Sequence, residues 1–73
     1  MTRRRILVIN PNSSASVTAA IDDAVAPLRI AGGPEIKVVG LAEGPPGISS
    51  QRDADSVVMP LVNRVTRDNA DAF

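Results

Sequence analysis

Apolar residues fall along this chain in two rhythms. The segment Arg5–Ile9 ends in an unbroken Ile6-Leu7-Val8-Ile9 run, without the polar alternation of a half-exposed strand. That is how a strand covered on both faces reads, as in a parallel sheet. Asn10-Pro11-Asn12-Ser13-Ser14 then supplies loop and cap residues in succession. A helix is predicted to begin at Ser13 or Ser14, where a hydroxyl can accept a bond from an orphaned helix N–H. Here the rhythm changes. Val17, Ile21, Val25 and Leu28 recur at spacings of four, four and three, which lines one helix face. Thr18, Asp22 and Arg29 fall largely off that stripe. Pro27 removes a backbone bond, so a kink or an end is predicted near Ala26.

Ala31-Gly32-Gly33-Pro34 breaks the chain, and Ile36–Leu41 reads as a second strand closed by Gly44-Pro45-Pro46-Gly47. Strand, helix, strand calls for a right-handed crossover and a parallel pair. A second helix is predicted from about Arg52 to about Asp68, with Val57, Val58, Leu61, Val62 and Val65 on its apolar side. Pro60 inside it threatens its continuity. Ala70-Asp71-Ala72-Phe73 looks like the approach to a third strand. The fold class is therefore α/β, a parallel-sheet βαβα unit. Two strands rarely hold such a sheet together, and an unpaired edge invites association. The 73 residues thus read as the front of a larger α/β domain that folds poorly alone.

Composition narrows the chemistry. Hydrophobic residues at 44% and charged ones at 22% are ordinary for a soluble globular protein. Eight basic and eight acidic side chains cancel, which argues against nucleic acid or an acidic membrane surface as partner. Met1-Thr2-Arg3-Arg4-Arg5 resembles the charged start of a signal peptide. The apolar run behind it stops at Asn10-Pro11, short of the roughly 7–15 residues such a segment needs. A cytoplasmic location is expected, with the arginines flanking a buried strand. Phe73 is the single aromatic residue, and histidine and cysteine are absent. Disulfides, thiolate nucleophiles, imidazole acid–base catalysis and nearly every transition-metal site are excluded within this chain. Chemistry here must run on carboxylates, amides, hydroxyls and the backbone.

Two loops are candidates for that chemistry. In open α/β sheets ligands sit at the carboxyl ends of the strands, where Asn10–Ser14 lies beside a helix N-terminus suited to a carboxylate. Its amides and hydroxyls can bind a small polar ligand, or Asn10, Asn12 and Ser13 can simply cap and turn. The second candidate, Gly44–Ser50, emerges on the same sheet edge and is either a pocket wall or a stiff Pro/Gly connection. Neither a GxxxxGK[ST] nor a GxGxxG pattern is present. Asp22 and Asp23, placed early in the first helix, and Asp53 and Asp55, near the start of the second, offer no convincing proton-transfer pair. The latter two fit the helix dipole, as do Arg64 and Arg67 near the end of the second helix.

The string Arg5-Ile6-Leu7-Val8-Ile9-Asn10-Pro11-Asn12-Ser13-Ser14, followed by Val17-Thr18 and Ile21, resembles the opening of the Asp/Glu/hydantoin racemase superfamily, in particular its hydantoin racemase branch. Gly44-Pro45-Pro46-Gly47-Ile48 with Gln51-Arg52-Asp53 is similar to that branch's second loop. The resemblance runs from Arg5 to Phe73. It implies a flavodoxin-like fold of two similar halves with the site between them, and cofactor-independent racemisation or epimerisation next to a carbonyl. Relatives isomerise maleate or decarboxylate arylmalonates. In the family one cysteine thiolate removes the proton and a second thiol returns it on the opposite face, while nearby donors hold the enolate-like intermediate.

By that resemblance Asn10, Pro11, Asn12 and Ser13 bind substrate, and Gly47 and Ile48 shape the pocket for its side chain. The substrate is an amino acid, a hydantoin or a related carboxylate, and self-association is expected from the family's habit. No cofactor and no metal is implied. The family's first catalytic cysteine follows the start of the third strand and its second lies in the C-terminal half. The expectation is thus an N-terminal fragment, residues 1–73, that carries binding residues, no catalytic ones, and no activity of its own. Two other classes stay open: a non-catalytic small-carboxylate or anion-binding module, and an interaction unit whose sheet edge pairs with another chain.

Overall fold

The computed structural model describes residues 3–73; of the basic leader, Met1 and Thr2 lie outside the described residues. Strand β1, Arg5–Asn10, runs parallel to β2, Glu35–Gly40, in a register that pairs Arg5 with Glu35 and Asn10 with Gly40. Each strand thus sits within a residue of its expected span. Side chains alternate across a strand. Ile6, Val8 and Asn10 therefore share one face with Ile36, Val38 and Gly40, and Leu7 and Ile9 share the other with Lys37 and Val39.

Helix α1, Ala15–Val25, covers the first of these faces. Ser14 is its N-cap, its hydroxyl accepting from Val17 N–H. A single 3-10 turn, Ala26–Leu28, follows with Pro27 in its first positions, which is where a missing N–H costs least. The helix is rotated from the expected stripe. Thr18 and Asp22 are half-buried along with Ile21 and Val25, whereas Val17 and Leu28 are exposed. The reason is polar: Asn10 Nδ2 donates to Thr18 Oγ1 at 3.0 Å. That bond draws the hydroxyl toward Gly40, where an added Cβ would sit 2.8 Å from it. Because α1 runs only from Ala15 to Val25, Asp22 and Asp23, expected early in the first helix, lie in its second half, where Asp22 pairs with Arg29.

The expected second helix is two. α2 spans Gln51–Ser56 and α3 spans Val58–Arg67, with Val57 between them. A continuous helix would press the Pro60 ring on the Ser56 carbonyl and leave that carbonyl without its N–H partner. Breaking after Ser56 puts Pro60 in the first turn of α3, where no intrahelical N–H bond is required. Val57, at the break, is buried.

The C-terminal segment returns to the free side of β1. Leu7 N–H donates to Ala72 O at 2.9 Å, Asp71 N–H to Arg5 O at 2.8 Å, and Ile6 bridges Ala72 in parallel. β1 is thereby central, with β2 on one side and Ala72 on the other. The fully apolar core is small: Leu7, Leu41 and Val57. Ile6, Val8 and Ile9 are half-buried, so β1 lacks the two-sided cover that its composition suits. The Cα radius of gyration is 13.3 Å, against about 11 Å for a compact domain of this length. The accessible surface is 5054 Å², against roughly 4,300 Å² for a compact protein of this mass. Among the described residues no helix is long and apolar enough to cross a membrane.

Candidate functional site

At the carboxyl end of β1 the chain must leave the sheet and start α1 within four residues, and its side chains organise that turn. Asn10 is 3% exposed, and a buried amide must be fully paired. Its Nδ2 donates to Asn12 Oδ1 at 2.8 Å and to Thr18 Oγ1 at 3.0 Å, and its Oδ1 accepts from Asn12 N–H at 3.2 Å. Asn12 Oδ1 accepts a second bond, from Ser14 N–H at 2.9 Å. Each carbonyl oxygen faces a backbone N–H that cannot accept, and each amide orientation is set jointly by that donor and by the side-chain bonds of Asn10 to Asn12 and Thr18.

The second loop closes against the first. Ser13 N–H donates to Pro45 O at 2.9 Å, and Leu41 N–H reaches Asn10 O at 3.0 Å and Asn12 O at 3.2 Å. Gly44 lies so near that an added Cβ would fall 2.3 Å from Pro11 O and 3.3 Å from Asn12 Cα. Asn10, Pro11, Asn12 and Ser13 thus form one ledge with Gly44 and Pro45. Gly47 and Ile48 stand further along the second loop, both exposed, and Gly47 has open space around its Cα. Among the described residues Asn12 Nδ2 and Ser13 Oγ have no protein partner, so the ledge presents hydrogens to solvent.

Beside the ledge runs an open groove of about 480 Å³ between α1 and β2, lined by Ser13, Ala15, Thr18, Ala19, Asp22, Val38, Gly40 and Ala42. Of the expected site residues only Ser13 lines it. Asp53 sits at the far end of the second loop. Its carboxylate accepts from Ser49 N–H at 3.1 Å and Ser49 Oγ at 3.2 Å, while Ser50 Oγ caps α2 by accepting Asp53 N–H. The Ser49 N–H bond, foremost, holds the Asp53 carboxyl below its usual range; partial desolvation opposes this, and the serine hydroxyls add to it. Asp53 acts as a loop clasp, consistent with its reading as a helix-start acid.

Gly44 belongs to the second candidate loop, whereas Thr18 and Gly40 were not among the expected site residues. Their signal was present but weak: a threonine four residues after the cap, and a glycine at the end of the second strand.

A parallel βαβ unit whose strand ends carry a ledge of amides and hydroxyls belongs to the class of α/β proteins that take small polar ligands at the sheet's carboxyl edge. The family model for Asp/Glu/Hydantoin racemase matches residues 6–73, nearly the whole chain, and the chain belongs to that family. Its general function is accordingly of the racemase or isomerase kind. No curated protein and no solved structure matches it.

Proposed function

We propose that this chain supplies one wall of the substrate site for cofactor-independent racemisation or epimerisation of an amino acid, a hydantoin or a related carboxylate. The observation that carries the reading is the asparagine ledge in a racemase-family chain: it offers donors and no charge. A carboxylate or an enolate-like oxygen next to the reacting carbon needs such donors, aimed at the charge that develops in the transition state. Asn12 and Ser13 are the direct donors, Asn10 and Pro11 shape the turn, and Gly47 and Ile48 border the substrate's side chain. Inversion also requires a base on one face and an acid on the other. With no cysteine in the 73 residues, those thiols come from protein outside them, and this chain alone is inactive.

Two measurements test this. Titrating the 15N-labelled chain with L-aspartate, and separately with 5-methylhydantoin, should shift the Asn12 side-chain amide and the Ser13 backbone amide. Incubating either compound with the chain in D2O should leave its α-hydrogen unexchanged beyond the rate in buffer. Absence of shifts with both compounds defeats the binding role, and catalysed deuterium uptake defeats the assignment of chemistry to external thiols. Binding without exchange is also what a non-catalytic carboxylate module would give. Restoration of exchange by a thiol-bearing partner chain from the same family separates the two.

A further inference from the structure

We propose that Thr18 is a positioning residue for the ledge, acting through Asn10 to hold the Asn12 carboxamide with its hydrogens outward; this rests on the substrate-wall reading above. The hydrogen-bond directions form a chain without a free choice in it. Thr18 Oγ1 donates to Ser14 O at 3.2 Å, so it meets Asn10 with a lone pair and selects the amide nitrogen of Asn10 at 3.0 Å. Asn10 then turns its Oδ1 to Asn12 N–H and its second hydrogen to Asn12 Oδ1. With that oxygen also accepting from Ser14 N–H, the acceptor half of Asn12 is satisfied. Only its NH2 faces outward.

An independent feature supports the same arrangement. Gly40 sits at the end of β2 opposite Thr18, and any Cβ there would lie 2.8 Å from Thr18 Oγ1. The strand therefore leaves room for this hydroxyl by carrying no side chain at Gly40. Flipping Asn10 would set its carbonyl against Asn12 Oδ1 and its NH2 against Asn12 N–H, losing several bonds of a buried group at once.

Packing and positioning make opposite demands at residue 18, which gives a crossover test. Valine keeps the shape of threonine without its hydroxyl; serine keeps the hydroxyl without the methyl. In the unsubstituted chain and in Thr18→Ser, the Asn10 side-chain NH2 should give resolved 15N–1H signals protected from solvent exchange. Thr18→Val should lose about tenfold in that protection, as expected for one net hydrogen bond. L-Aspartate affinity should follow, weakening about tenfold in Thr18→Val and changing less than about twofold in Thr18→Ser. Retained protection in the valine variant with loss in the serine variant overturns the proposal, as does an unprotected Asn10 amide in the unsubstituted chain. Should Thr18→Val not fold, the serine variant decides: protection kept upholds the role and protection lost ends it. If neither L-aspartate nor 5-methylhydantoin binds while the amide pattern holds, the substrate reading falls and the positioning of Asn12 stands on the amide data.

Discussion

The ledge at the carboxyl ends of the strands and the outer face of α3 lie in one small chain yet are finished to different degrees. At the ledge, Asn10 is buried with all its polar atoms paired, and the two loops touch through Gly44 and Ser13. On α3, Val58, Val62 and Val65 recur at helical spacing and all three are exposed, with Met59 beside them. Val57, Leu61, Arg64 and Asp68 take the inward side. Polar turn chemistry closes over a few residues and is complete within a short chain. An apolar stripe is complete only when something packs against it, because the free energy comes from area removed from water. The difference separates what local sequence can finish from what needs a second surface.

The largest effect should appear where the loops meet. Gly44→Ala would force a Cβ to within 2.3 Å of Pro11 O, a backbone atom that cannot swing aside. A loss of about 3 kcal/mol is expected from such overpacking, enough to unfold a chain of marginal stability. Gly47→Ala, three residues on and in open space, should be neutral or slightly stabilising, by at most about 1 kcal/mol. Urea or thermal melts of the pair read the contrast directly. Equal losses at both positions would mean that the loops are not clamped together.

A middle-sized effect tests the other region. Leu41 is 1% exposed and Val62 is 48% exposed. Leu41→Ala should cost about 2–5 kcal/mol, and Val62→Ser no more than about 0.5 kcal/mol. A Val62→Ser loss that matches Leu41→Ala would show that the α3 stripe is covered in solution. Dilution would then distinguish cover by a second copy, since only that contact weakens with falling concentration.

How much of this was legible follows the same division. The strands were readable because each is a short segment rich in Ile and Val bounded by turn residues, and the α1 start was readable because Ser14 is a strong cap. The break at Val57 was half legible. Pro60 announces trouble, but the carbonyl it offends lies four residues earlier, so the helix parts at Ser56 and not at the proline. The rotation of α1 toward Thr18 was not legible from apolar spacing. It depends on an amide from another strand reaching across to the hydroxyl, and periodicity records only the hydrophobic part of a face. For the site, the sequence placed Asn10 through Ser13 on one turn, and the structure divides their labour: Asn10 braces, and Asn12 and Ser13 retain free donors. Gly44 was legible as part of a loop that forms either a pocket wall or a stiff connection, but its close approach to Pro11 was not, because that is a property of two loops that no single loop displays.

The smallest expected effect sharpens the comparison at the junction of the two regions, where Asp53 ties the second loop to α2. Its carboxyl is held below the ordinary value of 3.8, chiefly by the Ser49 N–H. A carboxyl depressed in the folded state binds its proton more readily when unfolded, so stability rises with pH where the unfolded chain still carries that proton. The contribution is fully present above the unfolded value, and it fades as pH falls through the folded one. Between pH 6 and pH 3, the unsubstituted chain should therefore lose slightly more stability than Asp53→Asn, which keeps a hydrogen-bonding oxygen but cannot titrate. Because the group is at the surface, the difference should be small and should shrink further in high salt. Parallel pH profiles for the two chains would show that the Ser49 clasp opens in solution. The second loop would then be held by Gly44 and Pro45 alone.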